Sequence, residues 1–316
     1  MKASNIRWSS PITAGVAAVA ASVLWGSAFP VLKLTYEQLN IAPGDYGSQI
    51  YLAGLRFFLA ALLLFPYLRF GLRRPIAVGG WQRLLPLFIL GIFQTALQYF
   101  FFYGGVANTT GINSAILHSS GTFMLVIAAH FLYRDDRMTW GKWIGLTTGL
   151  AGILLVNWRQ AADGLDFVFS FQGEGFLLIS GAVSTAGMVL AKRLAGSMHP
   201  VLVNAWQLFF GSLFLIAVGT AALEHSVSQW TPMAVLLLVY SAALSAAAFS
   251  LWYTVLKHHR AGEVAVYRFM IPVTGALLSA VFLPDERFSL MVLLSLICVS
   301  AGIVSVYHFA NHDSKR

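Results

Sequence analysis

Arg56, His118 and Arg268 each stand in a stretch of sequence that offers a charge no support. Arg56 and Arg268 lie about six residues inside apolar runs, roughly 9 Å along a helix. His118 lies inside a third, with Ser114 and Thr122 on the same helical face at i−4 and i+4. An ionisable side chain at such depth in an apolar segment is costly unless it faces a cavity or a partner, so it points to a ligand path. A guanidinium forks onto carboxylate or phosphate, and an imidazole titrates near neutral pH. Arg56 and Arg268 are therefore read as contacts for an anionic group, and His118 as a substrate contact or proton site. The plainer readings are arginines that snorkel to the interface and a histidine hydrogen-bonded between helices.

Amides come next. Gln94 and Gln98 are spaced i, i+4, and Asn204 and Gln207 i, i+3. In apolar helices such groups either join neighbouring helices or hydrogen-bond a ligand. Aromatic residues could cover the apolar part of a ligand: the run YFFFY at 99–103, with Trp25, Trp252, Tyr253 and Tyr267. Packing and interface belts are the alternative use of such rings. The stretch WGSAFPVLK, 25–33, carries Pro30, which cannot donate to the carbonyl of Gly26. Pro272 stands in the same relation to Arg268. A kink or break near Gly26–Pro30 is expected, with Gly26, Pro30 and Pro272 as hinge candidates. Lys33 falls near the outer end of its run, where a lysine snorkels to the interface or attracts anionic groups.

None of the 12 Asp and Glu falls in the middle of an apolar run. That pattern argues against a carboxylate proton relay and against a site for quaternary amines. There is no phosphate-cradling glycine loop, so no nucleotide-driven step is expected. His258 and His259 are adjacent but lack partners at metal-ligand spacing. No cofactor and no metal are expected.

These residues must be positioned by a membrane bundle. The chain has 316 residues, 58% hydrophobic and 10% charged, with a mean hydropathy of +0.73. Soluble domains carry about 25% charged residues. At about 20 apolar residues per crossing, ten spans are expected: 12–35, 50–68, 84–107, 110–132 and 139–157, then 173–194, 200–222, 233–256, 262–283 and 288–309. With the N-terminus in the cytoplasm, fifteen of the 20 Lys and Arg fall on that side, and only Arg159 and Arg287 lie outside. Both termini are thus expected in the cytoplasm. The formal charge of +8 follows from this loop bias and calls for no nucleic-acid partner. Cys298 is the only cysteine, so no intrachain disulfide is possible. The first apolar run continues past the AVA at Ala18–Ala20, which argues against a cleaved leader.

At an offset of 150 the second half lies on the first without a gap. Tyr103 meets Tyr253, Ala115 meets Ala265, and His118 meets Arg268. The DDR of 135–137 meets the DER of 285–287, and AGILLV (151–156) meets AGIVSV (301–306). Five spans per half would insert the halves with opposite orientation. Inverted repeats build many carriers, with the site at the midplane between them. The expected architecture is an all-α integral membrane protein of ten helices in two inverted five-helix repeats, residues 1–157 and 158–316. The glycines at 141, 145 and 149 form a small-residue stripe for close packing. Asp136 and Glu286 are read as structural, favouring the helix N-termini that follow them.

WGSAFP, LRFFLAALLLF, FLYRDDRMTWGKWIGLTTGLAGILLV and VFLPDERFSLMVLLSLICVSAGIVSV, in this order, resemble the drug/metabolite transporter superfamily, in its bacterial EamA branch. The resemblance implies a multi-pass inner-membrane carrier of small organic molecules, often an exporter of amino acids or other metabolites. Where that family shows an acidic residue, most often Glu, before the arginine, this chain has Asp136. The expected function is export of a small carboxylate-bearing metabolite such as an amino acid, with a lipid bilayer around a monomer or homodimer. Nucleotide sugars or other organic anions are the alternative substrates. A membrane enzyme and a non-transporting sensor are the alternatives from other classes.

Overall fold

The computed structural model describes residues 8–42, 44–108, 117, 120–161, 170–223, 230–283, 290, 293–294, 297–302 and 304–305. Among them there is helix and connecting turn and no strand. The helices are α1 Pro11–Gln38, α2 Tyr46–Gly71, α3 Trp81–Val106, α4 Ser120–Leu132, α5 Trp140–Ala161, α6 Phe171–Ser197, α7 Pro200–Ala221, α8 Pro232–His258 and α9 Ala261–Phe282. Seven of these, all but α4 and α5, are long and apolar enough to cross a bilayer. The ten-span expectation thus stands at seven such helices among the described residues, with α4 a shorter apolar helix.

The sequence sets several of the starts. Pro11, Pro200 and Pro232 each occupy the first helical position, where the missing N–H is not needed. Asp45 Oδ1 accepts the Ser48 N–H at 3.0 Å ahead of α2, and Thr231 Oγ1 accepts the Ala234 N–H at 3.0 Å ahead of α8. His199 Nδ1 accepts the Val201 N–H at 3.3 Å ahead of α7. Burial, with Arg74 and then Lys257 nearby, pushes the His199 imidazole below its usual 6.5. A neutral ring is what the cap needs. Its contribution is complete above pH 6.5 and is lost as pH falls through the lowered pKa. In detergent, the thermal midpoint should drop on acidification more in the wild type than in His199→Asn.

Close helix crossings use glycine. In α2 against α7, a Cβ on Gly54 would lie 2.8 Å from the Ile216 nitrogen, and one on Gly219 2.5 Å from the Tyr51 nitrogen. In α1 against α9, a Cβ on Gly26 would lie 2.9 Å from both the Gly275 nitrogen and the Ile271 oxygen. Those are backbone atoms and cannot swing aside. Gly26→Leu should therefore cost at least the 1–3 kcal/mol or so typical of overpacking, read as a lower thermal midpoint in detergent.

That crossing bears on the expected kink. α1 is helical throughout its 28 residues, with Pro30 inside it. No break forms. A proline is tolerated within an apolar helix when neighbouring protein surrounds the freed backbone, and here α9 lies against the Gly26 turn. In α9 the regularity does change: Val266–Phe269 is a 3₁₀ turn ahead of Pro272, and it carries Arg268. The stripe in α5 packs as expected of small residues. A Cβ on Gly302 would lie 3.2 Å from the Gly145 oxygen, and Gly149 lies against the Phe269 ring.

Asp136 has a partner the sequence did not suggest. Its carboxylate pairs with Lys142, and its Oδ2 accepts the N–H of Gly262 at 2.8 Å. Lys142 also donates to the Arg137 carbonyl at 2.8 Å, and both charged groups are buried. Asp136 thus ties the first turn of α5, through Lys142, to the start of α9, through Gly262. On the same side of the bundle, Lys192 donates to the Leu256 and His259 carbonyls at the end of α8.

Candidate functional site

Six helices line a partly open cavity of about 80 Å³. The lining comes from α1, α2, α3, α6, α8 and α9. The polar wall is Arg56 from α2, Gln94 and Gln98 from α3, and Arg268 from α9. Trp25, Tyr99, Phe102, Tyr103, Met188 and Phe249 give most of the rest. The residues singled out at spacings far apart in sequence therefore converge on one space.

Arg56 is 3% exposed, and its Nε donates to Ser245 Oγ at 2.8 Å. Ser245 passes its own proton back to the Ser241 carbonyl at 2.7 Å, so its lone pair is turned to the arginine. Arg268 is 8% exposed, and its Nε and Nη1 meet no acceptor among the described residues. Its place in the 3₁₀ turn follows from Pro272, which supplies no N–H to hold the α-helical register there. Tyr99 lies within electrostatic range of both arginines. The ion pairs among the described residues join Lys142 to Asp136 and Arg260 to Asp135 and Glu263. None reaches Arg56 or Arg268. Two guanidinium groups thus share a cavity with no acid among the described residues of its lining.

Gln94 sits in a π-helical stretch, Ile92–Leu97, that interrupts α3. Such widened turns recur at functional sites. Its Nε2 donates to Gln98 Oε1 at 2.7 Å, while its Oε1 has no partner among the described residues. Gly187 of α6 leaves room for this amide, since a Cβ there would lie 3.0 Å from the Gln94 Cβ and Cδ. The cavity thus carries two guanidinium groups, and Gln94 Oε1 lies against Gly187 of α6.

Four of the expected contacts, Asn204, Gln207, Trp252 and Tyr267, are not among the residues that line this cavity. Gln207 Nε2 donates to Thr95 Oγ1 at 2.7 Å, and its Oε1 accepts from Tyr253. Asn204 Nδ2 joins α7 to α8 through the Ala246 carbonyl and Ser250 Oγ. Trp252 is wholly buried, its Nε1 donating to Met188 Sδ at 3.2 Å and its ring edge-on to Trp25. Tyr267 lies beside Gly15 of α1, and its carbonyl accepts from Ser22 Oγ at 3.0 Å. These side chains fix the helices that carry the cavity wall. His118 lies outside the described residues. Met188 and Phe249 were missed, and no spacing signal distinguishes them from other apolar positions.

The fold resembles a solved crystal structure that is 18% identical, with a TM-score of 0.76 over 96% of this chain and 99% of that one. At that identity the likeness concerns the fold alone. Among curated proteins, two of Bacillus subtilis (strain 168) named as uncharacterized transporters are similar. YvbV is 27% identical over 293 residues, 90% of this chain and 88% of that protein. YetK is 26% identical over 317 residues, 96% of this chain and 89% of that protein. A WAT1-related chloroplastic protein of Arabidopsis thaliana, At3g02690, is 23% identical over 290 residues, 90% of this chain and 66% of that protein. The model of the EamA-like transporter family matches twice, at residues 13–158 and 171–307. A multi-pass helical bundle, a polar cavity walled from both ends of the sequence, and a family match over most of the chain agree: this protein belongs to the EamA-like transporter family, within the drug/metabolite transporter superfamily.

Proposed function

We propose that this protein is an inner-membrane secondary transporter that exports a small carboxylate-bearing metabolite, most simply an amino acid, by alternating access. One observation carries the reading: among the described residues, Arg56 and Arg268 line a single cavity without an acidic partner, and two donor atoms of Arg268 are unsatisfied. A buried polar atom normally has a partner, and a carboxylate would provide one in the geometry a guanidinium prefers. The rings of Trp25, Tyr99 and Phe249 would take the side chain of an amino acid. In this reading the chain has ten spans in two inverted repeats, 1–157 and 158–316, with both termini in the cytoplasm. The repeat at offset 150 and the loop charge bias support it.

The test is flux from proteoliposomes loaded with labelled L-amino acids, with and without an imposed pH gradient. Flux of one amino-acid class that falls sharply in Arg56→Ala and Arg268→Ala is the expected result. Unchanged flux in both variants would overturn the site. Dependence on the gradient would bring His118 forward as the coupling group. Flux of nucleotide sugars or other organic anions, with none of amino acids, would keep the arginine site and replace the substrate.

A further inference from the structure

The cavity and the buried pair of Asp136 and Lys142 lie at different depths of the bundle. We propose that Asp136 is the latch of a closed gate, on the reading of this protein as an alternating-access carrier. Its bond to Gly262 shuts one end of the bundle against the cavity, and release of that bond opens the end to the ligand.

The start of α1, the ends of α6 and α8 and the start of α9 meet at the latch end. The cavity lies away from it. Its lining residues on α1, from Trp25 to Leu32, and on α3, from Gln94 to Tyr103, all fall in the far halves of those helices. Met188 and Phe249 stand about nine residues short of the ends of α6 and α8, roughly 14 Å. Arg268 stands about seven residues past the start of α9, roughly 10 Å. Below them the bundle is packed shut: Ala129 of α4, Ala191 of α6, Leu256 of α8 and Ala265 of α9 are wholly buried.

Four contacts join the two halves of the chain at this end. Asp136 Oδ2 accepts the Gly262 N–H at 2.8 Å. Lys192 Nζ lies 5.4 Å from the centre of the Tyr133 ring, Arg260 Nε lies 3.8 Å from Asp135, and His259 Nε2 donates to the Trp8 carbonyl at 2.8 Å. Only the first is a buried bond to a charged group. At the other end the described side-chain bonds between halves are neutral: Thr231 Oγ1 to Gln38 Oε1 at 3.0 Å, and the hydroxyls of Ser27 and Tyr240 at 2.9 Å.

The two carboxylate oxygens of Asp136 have separate tasks. Oδ1 pairs with Lys142, which belongs to the same half, and Oδ2 holds Gly262 in the other. The bond to Gly262 can therefore break while the ion pair stays intact, so opening strands no buried charge. Gly262 also stands close ahead of the 3₁₀ turn Val266–Phe269 that carries Arg268. A 3₁₀ stretch within a helix often marks a hinge. The latch and the ligand arginine thus act on one short segment, and a ligand drawn to Arg268 bears on the same turn that the latch restrains.

The experiment reads water access at Ala265, one turn past Gly262. Ala265→Cys is made with Cys298→Ser, which removes the only native thiol. The rate of labelling by a charged maleimide is measured on purified protein in detergent. With Asp136 and Lys142 in place the thiol should react slowly. Adding Asp136→Ala with Lys142→Met, which leaves no stranded charge, should speed labelling at least about tenfold, or about 1.4 kcal/mol on the balance of closed and open states. Asp136→Asn with Lys142→Met keeps an acceptor for the Gly262 N–H and should return the rate towards that of the intact pair. A control thiol, Ala205→Cys, is wholly buried on α7, which does not line the cavity, and should stay slow throughout. An unchanged rate at residue 265 in the alanine variant would overturn the latch. So would equal acceleration at residue 205, which marks general loosening, or no rescue by asparagine. No substrate enters this assay, so its failure leaves the anion cavity standing, and absence of amino-acid flux bears on the substrate and not on the latch.

Discussion

Arg268→Met is expected to abolish transport and to make the purified protein more stable. The two effects have one cause. Arg268 is a buried cation with two unsatisfied donor atoms and no acidic neighbour among the described residues. Without ligand it is a cost to the fold. Replacing buried ionic groups with apolar ones of similar volume gains about 1–4 kcal/mol in favourable cases, and methionine fills the space. With ligand, the arginine supplies charge-assisted hydrogen bonds of about 1.5–3 kcal/mol each. Losing two of them should lower flux at sub-saturating substrate by roughly 100-fold or more. Parallel measurement of thermal midpoint and flux would test this. A variant that loses flux together with stability would show that Arg268 holds the fold instead of the ligand.

Asp136→Ala should do the opposite. Here the buried cation is Lys142, and it already has its counter-charge. Alanine leaves the ammonium in place, 2% exposed, with only carbonyls around it. Breaking a buried pair from one side costs about 3–5 kcal/mol, and the lost acceptor for the Gly262 N–H adds on the order of 1 kcal/mol. The variant should yield little folded protein. Asp136→Ala with Lys142→Met removes the stranded charge and should recover most of the yield. The two buried cations thus differ in sign of effect: one is balanced within the chain, and the other awaits a partner from outside. Equal loss in the single and double variants would contradict this account of Asp136.

The long apolar runs made the helices legible, because an apolar stretch of about 20 residues has few other uses. Arg56, Arg268, Gln94 and Gln98 were legible for the converse reason: polar groups in such runs need an explanation, and the cavity provides it. Asn204 and Gln207 look identical by that criterion and turned out to lie outside the cavity. What separates them is who their partners are. Gln207 is satisfied by Thr95, 112 positions earlier, and by Tyr253, 46 later. No local pattern encodes those pairings.

Rotation of a helix about its axis is equally hidden. Trp252 and Phe249 are three residues apart in α8, yet Phe249 faces the cavity while Trp252 packs on Met188 and Trp25. The π stretch at Ile92–Leu97 leaves no signature in residue type and is what seats Gln94. Pro30 stands inside a helix that stays continuous. A proline announces a missing hydrogen bond, but whether the helix breaks depends on what packs against the freed turn, and α9 packs there closely. Asp136 was recognised as structural, but its bond to Gly262 spans 126 positions.

The central claim is that the arginine-lined cavity holds a carboxylate. The most direct test is equilibrium binding of a labelled L-amino-acid panel to purified protein, competed by the matching amines and by the matching carboxylic acids. Competition by the acids and not by the amines, with binding lost in Arg268→Met, is the predicted result. Binding that persists unchanged in Arg268→Met, or that the amines displace as well as the acids do, would contradict it.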